Sequence, residues 1–118
     1  MQKGITNSAG NLCLHLIGNL NTYIGTILGN TDYFRNRELE FSLKDIPKTQ
    51  LICKIEQTMI VVDCALDKLS EKELRMDFPV LVFETKTSTE FMLIHLTTHL
   101  AYHLGQINYH RRLLELEE

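Results

Sequence analysis

Apolar residues recur at intervals of three and four over three long stretches of the chain, the spacing of helices that bury one face. This pattern predicts helices over residues 8–29, 47–69 and 88–116. Each stretch opens with residues that favour a helix start. These are Asn7 or Ser8 as a cap, Pro47 as a first residue, and Thr87 in a capping box with Glu90.

The segments between these helices differ in character. Residues 31–46 alternate aromatic and charged side chains, so we expect an ordered loop with Phe34 and Phe41 packed beneath it. Ser70 begins a second capping box and predicts a short extra helical turn. Residues 75–86 combine β-branched and aromatic residues with a proline, which predicts an extended crossover or a short two-stranded hairpin.

The second predicted helix carries its own apolar stripe and two of the three cysteines. We expect the cysteines, all in apolar helical contexts, to be small core or interface residues: Cys13, Cys53 and Cys64. An odd count without CxxC spacing is typical of a reducing cytoplasm. The expected core stripe consists of Leu51, Ile55, Met59, Val62 and Leu66.

These elements predict an all-α fold: an up-down helix bundle with three long helices and an extended crossover before the last one. The whole length, residues 1–118, is expected to form a single domain, with residues 1–5 too few for an element. A net charge of −3 without a basic block gives no reason to expect nucleic acid as a partner. No apolar run is long enough for a bilayer, so no membrane association is expected either.

The last predicted helix carries four of the five histidines. A helix turns by about 100° per residue, so these histidines fall in the same sector as apolar residues such as Met92 and Leu96. Imidazoles on a buried face cost free energy unless each finds a partner. A metal ion is one partner that several histidines can share, whereas separate hydrogen bonds to neighbouring groups are the alternative.

His99 and His103 lie four residues apart and present two nitrogens from one helix face, which is a spacing used to bind zinc. His15, on the apolar face of the first helix, supplies a third ligand. No glutamate follows His99, which excludes the HExxH metalloprotease motif. His95 lies one turn earlier and is expected to support the site or to compete for the metal.

Three segments of the chain together resemble the DinB-like superfamily of metal-binding four-helix bundles, in particular an uncharacterised bacterial branch. They are residues 11–20 (NLCLHLIGNL), residues 29–41 (GNTDYFRNRELEF) and residues 99–107 (HLAYHLGQI). The segments occur in the family order, and the HxxxHxGQI segment is the most specific. The resemblance implies that His15, His99 and His103 hold zinc, nickel or a similar divalent ion with water at an open position.

The resemblance also implies an activity. Related enzymes of the superfamily use a low-molecular-weight thiol, which the metal would bind as a nucleophilic thiolate. The function expected is thiol-dependent S-transfer or metal-assisted hydrolysis of a small-molecule substrate. Asn19 and Gln106 would then support the histidines, and Arg35 or Arg37 would hold an anionic substrate or cofactor.

One element of the family pattern is missing. Only fourteen residues precede His15, so the first helix of the four-helix bundle has no counterpart. The chain is then either a truncated version or half of a homodimer in which a second copy covers the exposed groove. A non-catalytic dimerisation module is the alternative function, with a metal site closed by His95 or Glu40, or with no metal.

Overall fold

The computed structural model describes residues 8–117, with side chains up to residue 113. This range is mostly helical and contains no strand, which confirms the predicted all-α fold. The expectation for residues 1–5 lies outside it. The helices are α1 Ala9–Leu20, which continues into a π-helical segment Asn21–Thr26, then α2 Arg37–Ser42, α3 Lys48–Asp67, α4 Glu71–Arg75 and α5 Thr89–Glu117.

The first helix begins as predicted but is not regular to its end. The Ser8 hydroxyl accepts a hydrogen bond from the backbone N–H of Asn11 at 3.1 Å and caps the helix. From Asn21 the backbone hydrogen bonds span five residues, the π-helical pattern, for example from Ile27 N–H to the Thr22 carbonyl. The apolar periodicity carries no signal for this change, so an uninterrupted α-helix was the wrong prediction here.

The connector after α1 contains the short helix α2, where the sequence predicted a loop. Asn36 caps it by accepting a hydrogen bond from the backbone N–H of Leu39. Phe34 is 93% exposed, so its predicted burial is wrong. Phe41 is also exposed, at 38%, although its ring centroid lies 5.3 Å from that of His15.

The crossover before α5 is extended, but the described residues form no hairpin. A single bridge joins Asp77 to Ser88, with a hydrogen bond of 2.8 Å from Phe78 N–H to the Thr87 carbonyl. The Ser88 hydroxyl, instead of the predicted Thr87, accepts a hydrogen bond from the Phe91 N–H at the start of α5. The Ser70 capping box is present, as predicted.

The helix α1 is central and lies between two others. It packs against α2, α3 and α5, whereas the Cα atoms of α3 and α5 nowhere approach within 8 Å of each other over the described range. A groove of about 690 Å³ separates those two helices. A core cluster closes one end of it and comprises Ile24, Ala65, Phe78, Met92 and Leu96.

Because only one side of α3 is covered, its predicted core stripe is largely wrong. Met59 is 65% exposed, and Ile55 and Leu66 are also exposed, whereas Thr58 and Ala65 are the buried residues. The expected core position of two cysteines fails for the same reason. Cys53 and Cys64 are exposed, while Cys13 on α1 is half-buried.

Candidate metal centre

Three histidines from α1 and α5 meet at the edge of the helix pair. Nε2 of His99 lies 3.2 Å from Nε2 of His15 and 3.1 Å from Nε2 of His103. Helical geometry places His99 and His103 one turn apart on α5, and the packing of α1 brings His15 to them. Three nitrogens around a tetrahedral zinc ion at ~2.0–2.1 Å would be roughly 3.3–3.4 Å apart, which is close to the two distances around His99. The ligand atoms of all three histidines lie within 4.8 Å of one another.

The outward nitrogen of His15 faces a buried carboxylate. Nδ1 of His15 lies 3.1 Å from Oε1 of Glu40, and Glu40 is only 5% exposed. Arg35 donates to both oxygens of the same carboxylate, from Nε to Oε2 at 2.6 Å and from Nη2 to Oε1 at 2.9 Å. A carboxylate on the far nitrogen of a histidine is the usual support of a metal ligand, because it leaves the near nitrogen free.

The other two histidines differ in their outward contacts. Nδ1 of His103 lies 2.6 Å from Oε1 of Gln106, which places a hydrogen on Nδ1 and a lone pair on Nε2. Nδ1 of His99 is buried without a hydrogen-bond partner. Oδ1 of Asn19, one turn beyond His15 on α1, is likewise buried without a partner. A metal ion on Nε2 of His99 would leave the hydrogen of that ring on Nδ1, which would then be a donor. Oδ1 of Asn19 on α1 is a buried acceptor that lacks a donor.

The local environment favours the neutral form of the His99 and His15 rings. Burial, together with the neighbouring His103 and His15, lowers the pKa of His99 to about 4. Burial also lowers the pKa of His15, although its hydrogen bond to Glu40 acts in the opposite direction. A neutral imidazole has a lone pair to give, so His99 is able to act as a ligand at neutral pH.

The remaining predicted site residues divide clearly. Arg35 contacts both Glu40 and Nδ1 of His15, whereas Arg37 is exposed on α2. His95 stands outside the cluster, with its ring 4.9 Å from Phe83 and 6.5 Å from His99 between centroids. Glu40 was expected only as a fourth ligand, yet it contacts the outward nitrogen of His15. Glu40 lies in a segment where aromatic and charged residues alternate, and this pattern does not indicate that it is buried.

Fold and site together define an all-α protein in which three histidines, His15, His99 and His103, lie close enough together to hold a metal ion. The chain belongs to the family described as Protein of unknown function (DUF1572), whose family model matches residues 1–118. No curated protein and no solved structure matches the chain. Within residues 8–117, no helix is both long and apolar enough to cross a membrane.

Proposed function

We propose that this protein is a metal-dependent enzyme in which His15, His99 and His103 hold one divalent ion, zinc or nickel. The observation that carries the proposal is that Nε2 of His99 lies 3.1–3.2 Å from Nε2 of both other histidines, whose Nδ1 atoms face oxygen acceptors. Two lone pairs directed at His99 would otherwise compete for a single proton. One cation satisfies all three nitrogens.

The same arrangement favours an open coordination position over a closed structural site. Structural zinc sites have four protein ligands, whereas catalytic sites have three and leave one position for water or substrate. Both Glu40 oxygens face Arg35 and the outward nitrogen of His15, and the His95 ring packs against Phe83. Among the described residues, the group of side chains close enough together to hold a metal ion consists of these three histidines.

The reaction class we propose is thiol-dependent S-transfer or metal-assisted hydrolysis, in keeping with the resemblance to the DinB-like superfamily. A divalent ion bound here would lower the pKa of a thiol or water so that the nucleophile forms at neutral pH. The chain's own residues orient two of the rings, through Glu40 at His15 and Gln106 at His103. Since Arg35 is held by Glu40, the exposed Arg37 is the arginine we propose for an anionic substrate or thiol cofactor.

Cobalt substitution tests this proposal on the intact chain. Co²⁺ added to chelator-treated protein should bind at one ion per chain and give a visible spectrum of tetrahedral type. Added thiols, tested as a panel of small compounds, should produce a new sulfur-to-cobalt charge-transfer band. Absence of cobalt binding would remove the enzyme proposal. A cobalt spectrum that is indifferent to every thiol and anion would instead support a closed structural site.

The alternative function, a non-catalytic dimerisation module, is favoured by one specific observation, the groove between α3 and α5. Exposed apolar side chains line it, notably Met59 on α3 and Leu104 on α5, at 65% and 52% exposure. Exposed apolar side chains that lie together along a groove are typical of a surface that a partner covers.

We therefore also propose that a second copy of the chain packs on this groove, whether or not the metal site is catalytic. Sedimentation equilibrium should give a mass of twice 13.7 kDa. Met59→Lys should lower it to one chain by placing a charge in the groove. The matched control Phe34→Lys changes a more exposed apolar residue away from the groove and should leave the dimer intact. A monomeric wild type, or a dimer that survives Met59→Lys, would overturn this proposal.

A further inference from the structure

We propose that Glu40, held in place by Arg35, is a positioning residue that selects the proton position on His15 and thereby sets the affinity of the site for metal. This inference rests on the proposed metal-binding function. Its starting point is a conflict at one atom. Nδ1 of His15 is within hydrogen-bond distance of an acceptor, Glu40 Oε1 at 3.1 Å, and of a donor, Arg35 Nη2 at 3.2 Å.

The two contacts favour opposite forms of the neutral ring. If Nδ1 carries the hydrogen and donates it to Glu40, Nε2 has a lone pair that points toward His99. If Nδ1 accepts from Arg35, the hydrogen lies on Nε2, where it would occupy the lone pair needed for a metal. The group that forms the hydrogen bond with Nδ1 of His15 therefore decides whether Nε2 is free to bind a metal.

The geometry favours Glu40. Arg35 already directs Nε and Nη2 at the carboxylate in two short bonds, 2.6 and 2.9 Å, and a charge-assisted bond to a carboxylate is stronger than one to a neutral ring. The bond to Glu40 also raises the pKa of Arg35, so the guanidinium remains charged and the buried carboxylate remains compensated. Oε1 accepts from Nη2 of Arg35 with one lone pair and has a second lone pair with which to accept the hydrogen on Nδ1 of His15.

The backbone around Glu40 is fixed as well. Nδ2 of Asn11, on α1, donates to the carbonyl oxygens of Glu40 and Leu43 at 3.0 and 2.8 Å. These bonds attach α2 to α1 one turn before His15. The carboxylate lies directly over Gly18, where a side chain would collide with it. Glu40 is thus held from its side chain and its backbone, which is what a positioning residue requires.

The decisive variant is Glu40→Gln, which replaces an acceptor by an amide of the same shape that can donate. With two donors then facing Nδ1, the hydrogen on His15 should move to Nε2. Metal affinity, measured by competition with a chromophoric chelator, should fall by about 10–100-fold, as for loss of other groups that support metal ligands. Glu38→Gln, an exposed carboxylate on the same short helix, is the matched control and should change neither quantity. Glu40→Asp keeps the acceptor and should retain the wild-type proton position.

The proton position is read directly by ¹⁵N NMR of the imidazole in metal-free protein, so the result does not depend on activity. Wild-type His15 should show a hydrogen on Nδ1, and the Gln variant a hydrogen on Nε2. A wild-type hydrogen on Nε2 would overturn the inference even if the site binds metal. An absence of metal binding in wild type would end the proposed function, while the NMR result would still decide the role of Glu40. If the Gln variant fails to fold, the wild-type and Asp spectra decide.

Discussion

Replacing His99 by alanine is expected to abolish the binding of one divalent ion per chain. His99 is the shared neighbour in the cluster, with its Nε2 at 3.1–3.2 Å from both other Nε2 atoms. Its loss leaves two ligands on separate helices, so affinity should fall by more than the roughly 100-fold upper range for a residue that only supports a ligand. Metal content of untagged protein and chelator competition measure this change.

The matched control for that experiment is His95→Ala, on the same helix one turn earlier. The His95 ring packs against Phe83 and is not one of the three histidines that could hold the metal ion, so the variant should retain one ion per chain. Thermal unfolding provides a second measurement. Zinc at 100 times its dissociation constant should stabilise wild type and His95→Ala by ~2.7 kcal/mol, and His99→Ala by less than ~0.4 kcal/mol. A His99→Ala protein that retains its ion would exclude the proposed ligand set.

The second large effect is expected from a single methyl group at Gly18. A Cβ there would overlap the Glu40 carboxylate and lie 3.1 Å from Arg35 Nε. Neither side chain can withdraw freely, because each is held by the other and Glu40 is buried. Gly18→Ala should therefore destabilise the fold by about 1–3 kcal/mol. It should also weaken metal binding, since His15 loses its partner.

Gly105→Ala is the control that separates this clash from helix propensity. Nothing lies within 4 Å of a Cβ at Gly105, so the substitution should stabilise α5 by up to ~1 kcal/mol. We therefore expect urea unfolding to show that the two variants shift the free energy of unfolding in opposite directions. Equal stabilisation by both would show that Glu40 does not require the space above Gly18.

Much of the fold was readable from local pattern, and the errors have a common physical origin. Ser8 and Ser70 cap helices as predicted, because capping depends on residues only three positions apart. The α3 stripe failed at Met59 because apolar periodicity identifies the face that should be buried, not the element that buries it. The short helix α2 was not predicted because six residues with interleaved charges resemble an ordered loop.

The candidate site divides in the same way. The sequence by itself determined that His99 and His103 point from one face, since helical rotation fixes residues four apart. The family resemblance implied a supporting role for Gln106, and its contact with Nδ1 of His103 agrees with that role. Only the tertiary structure decided that His15, 84 residues from His99, meets them, and that Glu40 faces the outward nitrogen of His15. It also separated His95 from the cluster. Helical periodicity is a local property, whereas these contacts depend on how α1, α2 and α5 pack, which no spacing along the chain encodes.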